Sequence, residues 1–394
     1  MVRNKSICFV TNAYPDFDSS GRGMFIKQMA LFLMECGYQI SVVTPKIYEK
    51  SHYVEEQEGI RVYRFPFFSG NRPLIEYEKI PYLRMIFYYV TGFILTIYVV
   101  FKHKCHLIHA HWAIPTGLIG VLVGSCLKIP LIVTIHGSDF RIGTMKTVLL
   151  KNIFLYVCKR AKHIICVSEV LKREIEKLGI KGEKISVSPM GVDEHFFGSL
   201  VNRGDNRRGQ EFTILSNRQL QPIYNLSLLI RAIPFVLKEE PNAKFIIAGI
   251  GSERESLEKQ VKDLNISPSV QFLGWVTHEE MPKLLSRADI YISTSLDDGT
   301  SVSLLEAMAA GAFPIVTDIP SNREWISDGE NGFLVPIDEE RFVADKILEA
   351  IRNREFLRRS LKINQSIVEE KALWSVCIEK IKAIYEAQLG KTNP

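Results

Sequence analysis

The sequence predicts an α/β protein with two consecutive parallel-sheet domains. Three observations support this prediction. At 394 residues, the chain is too long for one compact core. Short apolar runs alternate with helical patterns, which is typical of parallel sheets covered by helices on both faces. A polar, glycine-bearing stretch without periodicity at residues 199–210 separates two such series.

The first series predicts seven strands, joined mostly by helices. Its first helix is expected at Met24–Glu35, and Gly37 lies just beyond the end of that helix. The strands are expected at residues 6–11, 39–44, 60–65, 106–110, 131–135, 163–167 and 184–188.

The second series predicts five strands, at residues 212–216, 244–248, 270–273, 289–293 and 313–317. We therefore expect an N-terminal domain at residues 1–198, a linker at 199–210 and a C-terminal domain at 211–371. An amphipathic helix at about residues 372–394 is expected to cross back to the first domain.

The apolar run at residues 85–101 has 17 uncharged residues between Arg84 and Lys102. A transmembrane helix typically needs ~20 apolar residues, so this run is borderline. We favour a crossover helix between the strands at 60–65 and 106–110, because a true span would separate strands of one sheet. The alternative is an interfacial helix with its aromatic side chains at the level of the lipid headgroups.

Composition limits the class of protein and its compartment. Apolar residues make up 46% of the chain and charged residues 24%, which excludes disordered and low-complexity proteins. The polar N-terminus does not have the build of a signal peptide. The seven cysteines contain no C-x-x-C pair, so we expect free thiols in a reducing compartment rather than disulfides. These features predict a cytoplasmic protein.

Charge is distributed unevenly along the chain. Residues 1–200 hold 25 Lys+Arg and 16 Asp+Glu, a net charge of +9, and the remainder holds 24 and 28, a net charge of −4. A basic half of this kind suits an anionic membrane surface, a nucleic acid or a phosphorylated lipid.

Ligands of doubly wound sheets bind at the carboxyl ends of the strands, so the loops that follow each strand are the candidate binding sites. After the first strand, Gly21 and Gly23 precede a helix N-terminus and would let a phosphate approach closely, although a plain turn explains them equally well. Asp16 and Asp18 lack a third ligand, so no metal site is expected there.

Histidines follow two further strands of the first half. His109 and His111 are two residues apart, a spacing that does not make a zinc site. His136 follows the strand at 131–135 and is either a pocket residue or a structural hydrogen-bonding group. No nucleophile elbow or Walker loop is present. The sequence argues against a classical dehydrogenase, because no G-x-G-x-x-G follows the first strand and Gly249-Ile-Gly251 comes too late in the chain.

The densest signal is at residues 293–317, where an acidic glycine loop leads from a strand into a short helix. Ser303 and Glu306 have the spacing of a capping box, which would make Glu306 a backbone cap. The functional alternative places unpaired amides of residues 299–302 at a diphosphate and Glu306 at a ribose. Arg218, after the strand at 212–216, is either a phosphate-binding fork or a surface arginine.

Taken together, these segments resemble the retaining glycosyltransferases of family four. The resemblance covers nearly the whole chain and rests on the joint presence of seven segments. They are residues 23–45, 107–117, 134–139, 187–197, 218–232, 297–316 and 321–335. The resemblance implies the GT-B fold, in which two Rossmann-like parallel-sheet domains face each other across a cleft, and it implies that closure of the domains assembles the active site.

The resemblance also implies roles for individual residues on the donor side. Arg218 would bind the diphosphate, Gly23 would approach it from the first domain, and Glu306 would accept hydrogen bonds from the ribose. The remaining donor-binding residues would be Gly299, Thr300, Ser301 and Val302.

On the reacting side, the resemblance implies that His136 lies by the transferred sugar and that His111 and Phe25 face the acceptor. The E-x7-E motif of the family corresponds to Asp298-x7-Glu306, so Asp298 is a shorter acid at the first, catalytic position. Tyr224-Asn225 stands where the family commonly has Lys-Gly.

The implied activity is transfer of a sugar from a nucleotide-diphosphate sugar to a glycan or lipid-linked acceptor, without a metal or other cofactor and without a nucleic-acid partner. Such a role fits bacterial cell-surface polysaccharide or lipopolysaccharide synthesis, with peripheral attachment to the cytoplasmic face of the membrane. Two alternatives stay open at this point: a sugar-nucleotide epimerase or phosphorylase of the same fold, and a non-catalytic, membrane-associated sugar-binding subunit.

Overall fold

A computed structural model describes residues 5–17, 20–74, 77, 80–197 and 212–390. The chain divides into two compact units, of which the first comprises Met1–Met190 with Cys377–Pro394 and the second comprises Gly191–Val376. The predicted linker at 199–210 lies outside the described residues.

The first unit contains an eight-stranded sheet in the order β3-β4-β2-β1-β5-β6-β7-β8. All neighbouring strands are parallel except β3 and β4, which form an antiparallel hairpin. The strands are β1 (Lys5–Thr11), β2 (Tyr38–Lys46), β3 (Val54–Gln57), β4 (Ile60–Pro66), β5 (Leu107–His111), β6 (Leu131–Ile135), β7 (His163–Cys166) and β8 (Ile185–Val187).

Helices connect the parallel strands of this sheet. They are α1 (Met24–Glu35), α2 (Tyr82–Lys102), α3 (Leu118–Leu127), α4 (Ser138–Met145), α5 (Val148–Arg160) and α6 (Glu169–Lys177). The connections through α2, α3 and α5 each move in the same direction along the sheet, so right-handed crossovers place these three helices on one face. Consistent with this arrangement, α3 contacts both α2 and α5.

Helix α2 contains the apolar run predicted as a crossover helix, and that prediction is confirmed, because α2 joins β4 to β5 within one sheet. Its inner side packs so closely that a Cβ on Gly92 would lie 2.7 Å from Ile119 Cδ1. Among the described residues, α2 is also the one helix long and apolar enough to cross a membrane, and only 28% of its apolar window is buried.

The second unit contains a six-stranded parallel sheet in the order β11-β10-β9-β12-β13-β14. Its strands are β9 (Thr213–Ser216), β10 (Lys244–Ala248), β11 (Val270–Gly274), β12 (Ile290–Ser293), β13 (Phe313–Thr317) and β14 (Phe333–Val335). Its helices are α7 (Leu226–Glu239), α8 (Arg254–Asp263), α9 (Met281–Leu285), α10 (Val302–Ala310), α11 (Glu340–Arg352) and α12 (Arg354–Lys371). The terminal helix α13 (Trp374–Leu389) follows.

The predicted fold class is confirmed: both units are α/β domains built on parallel sheets. Every predicted strand is present to within two residues at each end. The sequence prediction missed β3, which alternates exposed and half-buried residues, and β14, which has only three residues. Neither strand has the continuous apolar run on which the prediction relied.

Candidate active site

The donor side of the candidate site begins with the loop that follows β9. This loop passes over the end of β10 so closely that the backbone there has room only for glycine. A Cβ on Gly249 would lie 2.3 Å from the carbonyl oxygen of Arg218, and one on Gly251 would lie 2.2 Å from that of Leu220. The Gly249-Ile-Gly251 sequence therefore makes room for the arginine loop, and it is not a dinucleotide-binding motif.

Arg218 is almost fully buried, with 7% of its surface exposed. Its Nη2 donates a hydrogen bond of 2.6 Å to Asp298 Oδ2, and its Nη1 donates one of 2.6 Å to Ser301 Oγ. Since an isolated charge would be costly to bury, the Asp298 carboxylate is the counter-ion that allows Arg218 to lie inside the unit. The interpretation of Arg218 as a surface arginine is wrong.

Tyr224 covers the other side of this guanidinium group. The guanidinium carbon lies 4.2 Å from the centroid of the Tyr224 ring, which is a cation–π contact. Asn225 follows with φ 46°, a left-handed conformation that Asn tolerates better than most residues. This conformation explains how Asn replaces the glycine common in the family. The stacking role of Tyr224 has no signal in the sequence alone.

The N-terminus of α10 corrects the predicted capping box. The N-cap is Ser301, whose Oγ accepts a hydrogen bond of 3.3 Å from the backbone N–H of Leu304. Glu306 is therefore in the second turn of the helix and cannot cap it, so the capping interpretation of Glu306 is wrong. The Gly299 N–H was expected to be unpaired, but it donates to Asp298 Oδ1 at 3.0 Å.

Glu306 lies close to Arg218 but is not paired with it. Burial raises the pKa of the Glu306 carboxyl to about 8, and the charge of Arg218 opposes part of this rise. Oε1 of Glu306 lies 3.9 Å from Nδ1 of His278, whose own pKa is lowered by burial. A carboxyl group of this kind can exchange hydrogen bonds with the hydroxyl groups of a ligand. The neighbouring His278 was not identified from the sequence.

In the first unit, a cluster of rings lies at the carboxyl ends of β5 and β6. The ring centroid of His136 is 4.5 Å from that of Trp112 and 5.4 Å from that of Phe25. All three residues are half-buried. His136 Nε2 also lies 3.3 Å from Nδ1 of His111. The structure thus brings together three of the residues that the resemblance singled out, His136, His111 and Phe25.

Asp139 organises the loop that carries His136. Its Oδ1 accepts hydrogen bonds of 3.1 Å from the backbone N–H groups of His136 and Gly137, and its Oδ2 accepts one of 2.6 Å from Ala113. Burial raises the pKa of Asp139 to about 6, while the backbone donors oppose that rise. This role of Asp139 has no signal in the sequence, since its three partners come from two separate loops.

The histidines of this cluster are neutral at physiological pH. Burial lowers the pKa of His136 to about 3, and burial together with the neighbouring His136 lowers that of His109 to about 3. His111 was expected to face the acceptor. That expectation is wrong, because His111 is fully buried behind His136 and cannot contact a ligand directly. His111 can act on a ligand only through His136.

Gly23 has a structural requirement of its own. Its φ is 71°, and a Cβ there would lie 2.3 Å from the carbonyl oxygen of Ala13. In the same loop, Arg22 binds both carboxylate oxygens of Asp16, at 2.7 and 3.0 Å. Asp18 lies outside the described residues. In the described part of the chain, no group of three or more His, Cys, Asp or Glu could hold a metal ion.

Two family models match the chain one after the other. The model for Glycosyltransferase Family 4 matches residues 19–196, and the model for Glycosyl transferases group 1 matches residues 201–366. The chain belongs to the family-four glycosyltransferases. It is therefore a transferase enzyme, and its two parallel-sheet units are the two domains of the GT-B fold.

This glycosyltransferase is similar to curated enzymes from bacteria. It is 28% identical over 253 residues to the UDP-Gal:alpha-D-GlcNAc-diphosphoundecaprenol alpha-1,3-galactosyltransferase of Escherichia coli. The alignment covers 60% of this chain and 64% of that protein. It is 26% identical over 348 residues to the alpha-monoglucosyldiacylglycerol synthase of Streptococcus pneumoniae. This second alignment covers 84% of this chain and 75% of that protein.

A solved structure shows the same fold. The Anabaena protein HepE, crystallised in complex with UDP-glucose, superimposes with a TM-score of 0.75 at 17% sequence identity. The superposition covers 97% of this chain and 99% of that chain.

Proposed function

We propose that this glycosyltransferase moves a sugar, with retention of its anomeric configuration, from a nucleoside-diphosphate sugar to a glycan or lipid-linked acceptor. The observation that carries the proposal is the arrangement around Arg218. A buried guanidinium group, held by Asp298, Ser301 and Tyr224, lies at the N-terminus of α10, with Glu306 one turn further along. This combination suits a ligand that has both phosphates and ribose hydroxyls.

Breaking the bond between sugar and diphosphate develops negative charge on the leaving phosphate. Arg218 and the N-terminal end of α10 supply positive charge that is already in position, and such preorganised groups stabilise a developing charge strongly. The donor-binding residues in this proposal are Arg218, Glu306, Gly23, Gly299, Thr300, Ser301 and Val302.

Retention is proposed to proceed by attack of the acceptor from the face that the diphosphate leaves. This route needs no pair of carboxylates at the spacing used by retaining glycoside hydrolases. His136, which is neutral, would hydrogen-bond the transferred sugar, and Asp298 would contact the sugar from beside the diphosphate. We propose that no metal or other cofactor takes part, because Arg218 and the helix N-terminus carry the phosphate charge.

The proposed acceptor is a lipid-linked or glycan substrate of bacterial cell-surface polysaccharide or lipopolysaccharide synthesis. The names of the Escherichia coli and Streptococcus pneumoniae relatives specify a diphosphoundecaprenol-linked and a diacylglycerol-linked substrate or product, respectively, which supports the lipid class. The name of the first relative and the ligand of HepE support a UDP-sugar donor. No nucleic acid is proposed as a partner.

We further propose that the enzyme attaches peripherally to the cytoplasmic face of a membrane. The outer side of α2 is exposed and mostly apolar, with the charged residues Arg84 and Lys102 also exposed near its two ends. Its exposed apolar residues are Tyr82, Leu83, Ile86, Phe87, Val90, Ile94, Tyr98 and Phe101. Exposed cations of α5, including Lys151, Lys159 and Arg160, lie on the same face of the sheet as α2. An apolar helix beside basic residues suits the interface of an anionic bilayer.

The transfer reaction can be tested with a panel of labelled UDP- and GDP-sugars and a bacterial lipid extract as acceptor. We expect label to enter the lipid or glycan fraction, the nucleoside diphosphate to be released, and both to continue in excess EDTA. An epimerase would change the donor without an acceptor, and a phosphorylase would require phosphate. Either of those results, or a loss of activity that manganese or magnesium restores, would contradict the corresponding part of the proposal.

A further inference from the structure

The contact between His111 and His136 has an unusual geometry. Nδ1 of His111 lies 3.3 Å from Nε2 of His136, while the ring centroids are 5.5 Å apart and the ring planes differ by 28°. These values describe two rings that meet edge to edge, close to one plane, which is the geometry of a hydrogen bond between ring nitrogens. One of the two nitrogens must therefore donate a proton and the other must accept it.

The surroundings of His111 limit which nitrogen donates. Its ring is fully buried between Phe9, at a centroid distance of 5.0 Å, and His109, at 4.4 Å. The second nitrogen of His111, Nε2, is buried and has no hydrogen-bond partner among the described residues. His109 cannot provide one, because Tyr385 Oη lies 2.6 Å from its Nδ1 and Thr134 Oγ1 lies 2.7 Å from its Nε2.

The two tautomers of His111 therefore differ in cost. With the proton on Nε2, a buried N–H would have no acceptor, and buried N–H groups without a partner are rare and unfavourable. With the proton on Nδ1, His111 donates to His136, and only a lone pair on Nε2 is left without a partner. The second arrangement satisfies the donor, so it is the favoured one.

We propose that His111 is a positioning residue: its Nδ1–H donates to His136 Nε2 and thereby fixes His136 as the tautomer that carries its proton on Nδ1. His136 then offers a hydrogen-bond donor, and not a lone pair, to a ligand. The identity of that ligand as the transferred sugar rests on the proposed function, whereas the tautomer itself does not. In this role His136 hydrogen-bonds a sugar oxygen, and Nδ1 does not remove a proton from the acceptor.

The tautomer can be measured directly in the full-length enzyme with 15N-labelled histidine. Long-range 15N–1H correlation spectra distinguish a protonated from an unprotonated ring nitrogen, and the spectrum of His136→Gln assigns the signals of His136. We expect His136 to carry its proton on Nδ1. Protonation on Nε2 would overturn the proposal, whether or not the enzyme transfers sugar.

Two substitutions of similar size test the consequence for catalysis. In His111→Asn, the amide N–H can take the place of Nδ1–H, whereas His111→Leu has nearly the same size and offers no donor. We expect His111→Asn to keep turnover within about threefold, and His111→Leu to lower kcat by about 10²-fold, the usual effect of losing one catalytic hydrogen-bond donor. Nucleotide affinity should be unchanged in both variants.

Equal losses of turnover in the two variants would show that His111 only fills space and would overturn its positioning role. If the wild-type enzyme transferred no sugar from any donor, the proposed function would fail, while the spectra of His136 would still decide the tautomer. The two failures are therefore distinguishable.

Discussion

The buried Arg218 and the half-buried Asp298 form an ion pair, with 2.6 Å between Nη2 of the arginine and Oδ2 of the aspartate. The positive charge that would bind a diphosphate is thus already balanced by a carboxylate of the same unit. A diphosphate that binds Arg218 must share it with Asp298.

Removing the charge of Asp298 should change nucleotide affinity and turnover in opposite directions. We expect Asp298→Asn to increase affinity for a nucleoside diphosphate, because Arg218 loses its intramolecular counter-ion. Turnover should fall by about 10²-fold if Asp298 contacts the sugar in the transition state. Calorimetry and steady-state kinetics on the same preparation measure both quantities. A parallel fall of affinity and turnover would instead mean that Asp298 is needed to orient Arg218.

The Tyr224 ring should contribute to donor affinity through its contact with Arg218. A cation–π contact contributes about 0.5–2 kcal/mol, so Tyr224→Ala should weaken nucleotide binding by roughly 2- to 30-fold. Tyr224→Phe keeps the ring and should bind within about twofold of the wild type. The two variants can be compared by titration calorimetry, and equal weakening in both would assign the effect to the hydroxyl group.

Donor affinity should depend on pH through Glu306. Since its pKa is raised to about 8, the donor-free carboxyl is protonated at pH 7 and becomes ionised as the pH rises through 8. An ionised carboxylate accepts hydrogen bonds from two ribose hydroxyls, so affinity should increase between pH 7 and pH 9. UDP-glucose is a suitable probe, because its diphosphate has no monoester group that titrates near pH 6.

The Glu306→Gln variant is the control for this pH dependence of nucleotide affinity and should abolish it. A pH profile of affinity that is identical in the wild type and Glu306→Gln would exclude Glu306 from the ribose site.

The raised pKa of Glu306 also affects the stability of the fold, which should decrease as the pH rises. The stability that protonated Glu306 contributes is fully present below its ordinary pKa of 4.5 and is lost as the pH rises through about 8.

Membrane attachment should depend on both the apolar face of α2 and the basic residues beside it. We expect the enzyme to co-sediment with vesicles that contain anionic lipid and to be released at high salt, because salt screens the basic residues. Leu83→Glu should weaken binding, since Leu83 is 77% exposed on the apolar face, whereas Leu264→Glu, on the second unit, should not. No sedimentation with either kind of vesicle would contradict the proposed attachment.

Much of the fold could be predicted from the sequence because continuous apolar runs mark buried parallel strands. The end of α1 followed from a local signal, Gly37, which has a positive φ just beyond the helix. By contrast, β3 carries no such run, since it forms the outer strand of a hairpin at the edge of the sheet.

The candidate site was predictable only at the level of residue types and loop positions. Contacts between segments that are distant in the chain could not be predicted. The stacking of Tyr224 on Arg218, the three backbone hydrogen bonds of Asp139 and the pairing of His111 with His136 depend on how loops meet at the ends of the strands. The role of Glu306 was ambiguous until Ser301 was found to cap α10.

Calorimetric titration of UDP and GDP into the wild type and into Arg218→Lys determines whether the buried guanidinium group of Arg218 binds the nucleoside diphosphate. Arg323→Lys is the matched control, because Arg323 also pairs with an aspartate of the same unit but lies at the surface. A lysine lacks the planar fork that meets Asp298, Ser301 and a phosphate together. We predict that at least one of the two nucleotides binds the wild type. Arg218→Lys should weaken the binding of that nucleotide by about tenfold or more, as expected for a lost charge-assisted contact. Arg323→Lys should leave the affinity unchanged. Equal affinity in all three proteins would mean that Arg218 does not bind the nucleotide, and binding of neither nucleotide to the wild type would overturn the proposed donor site.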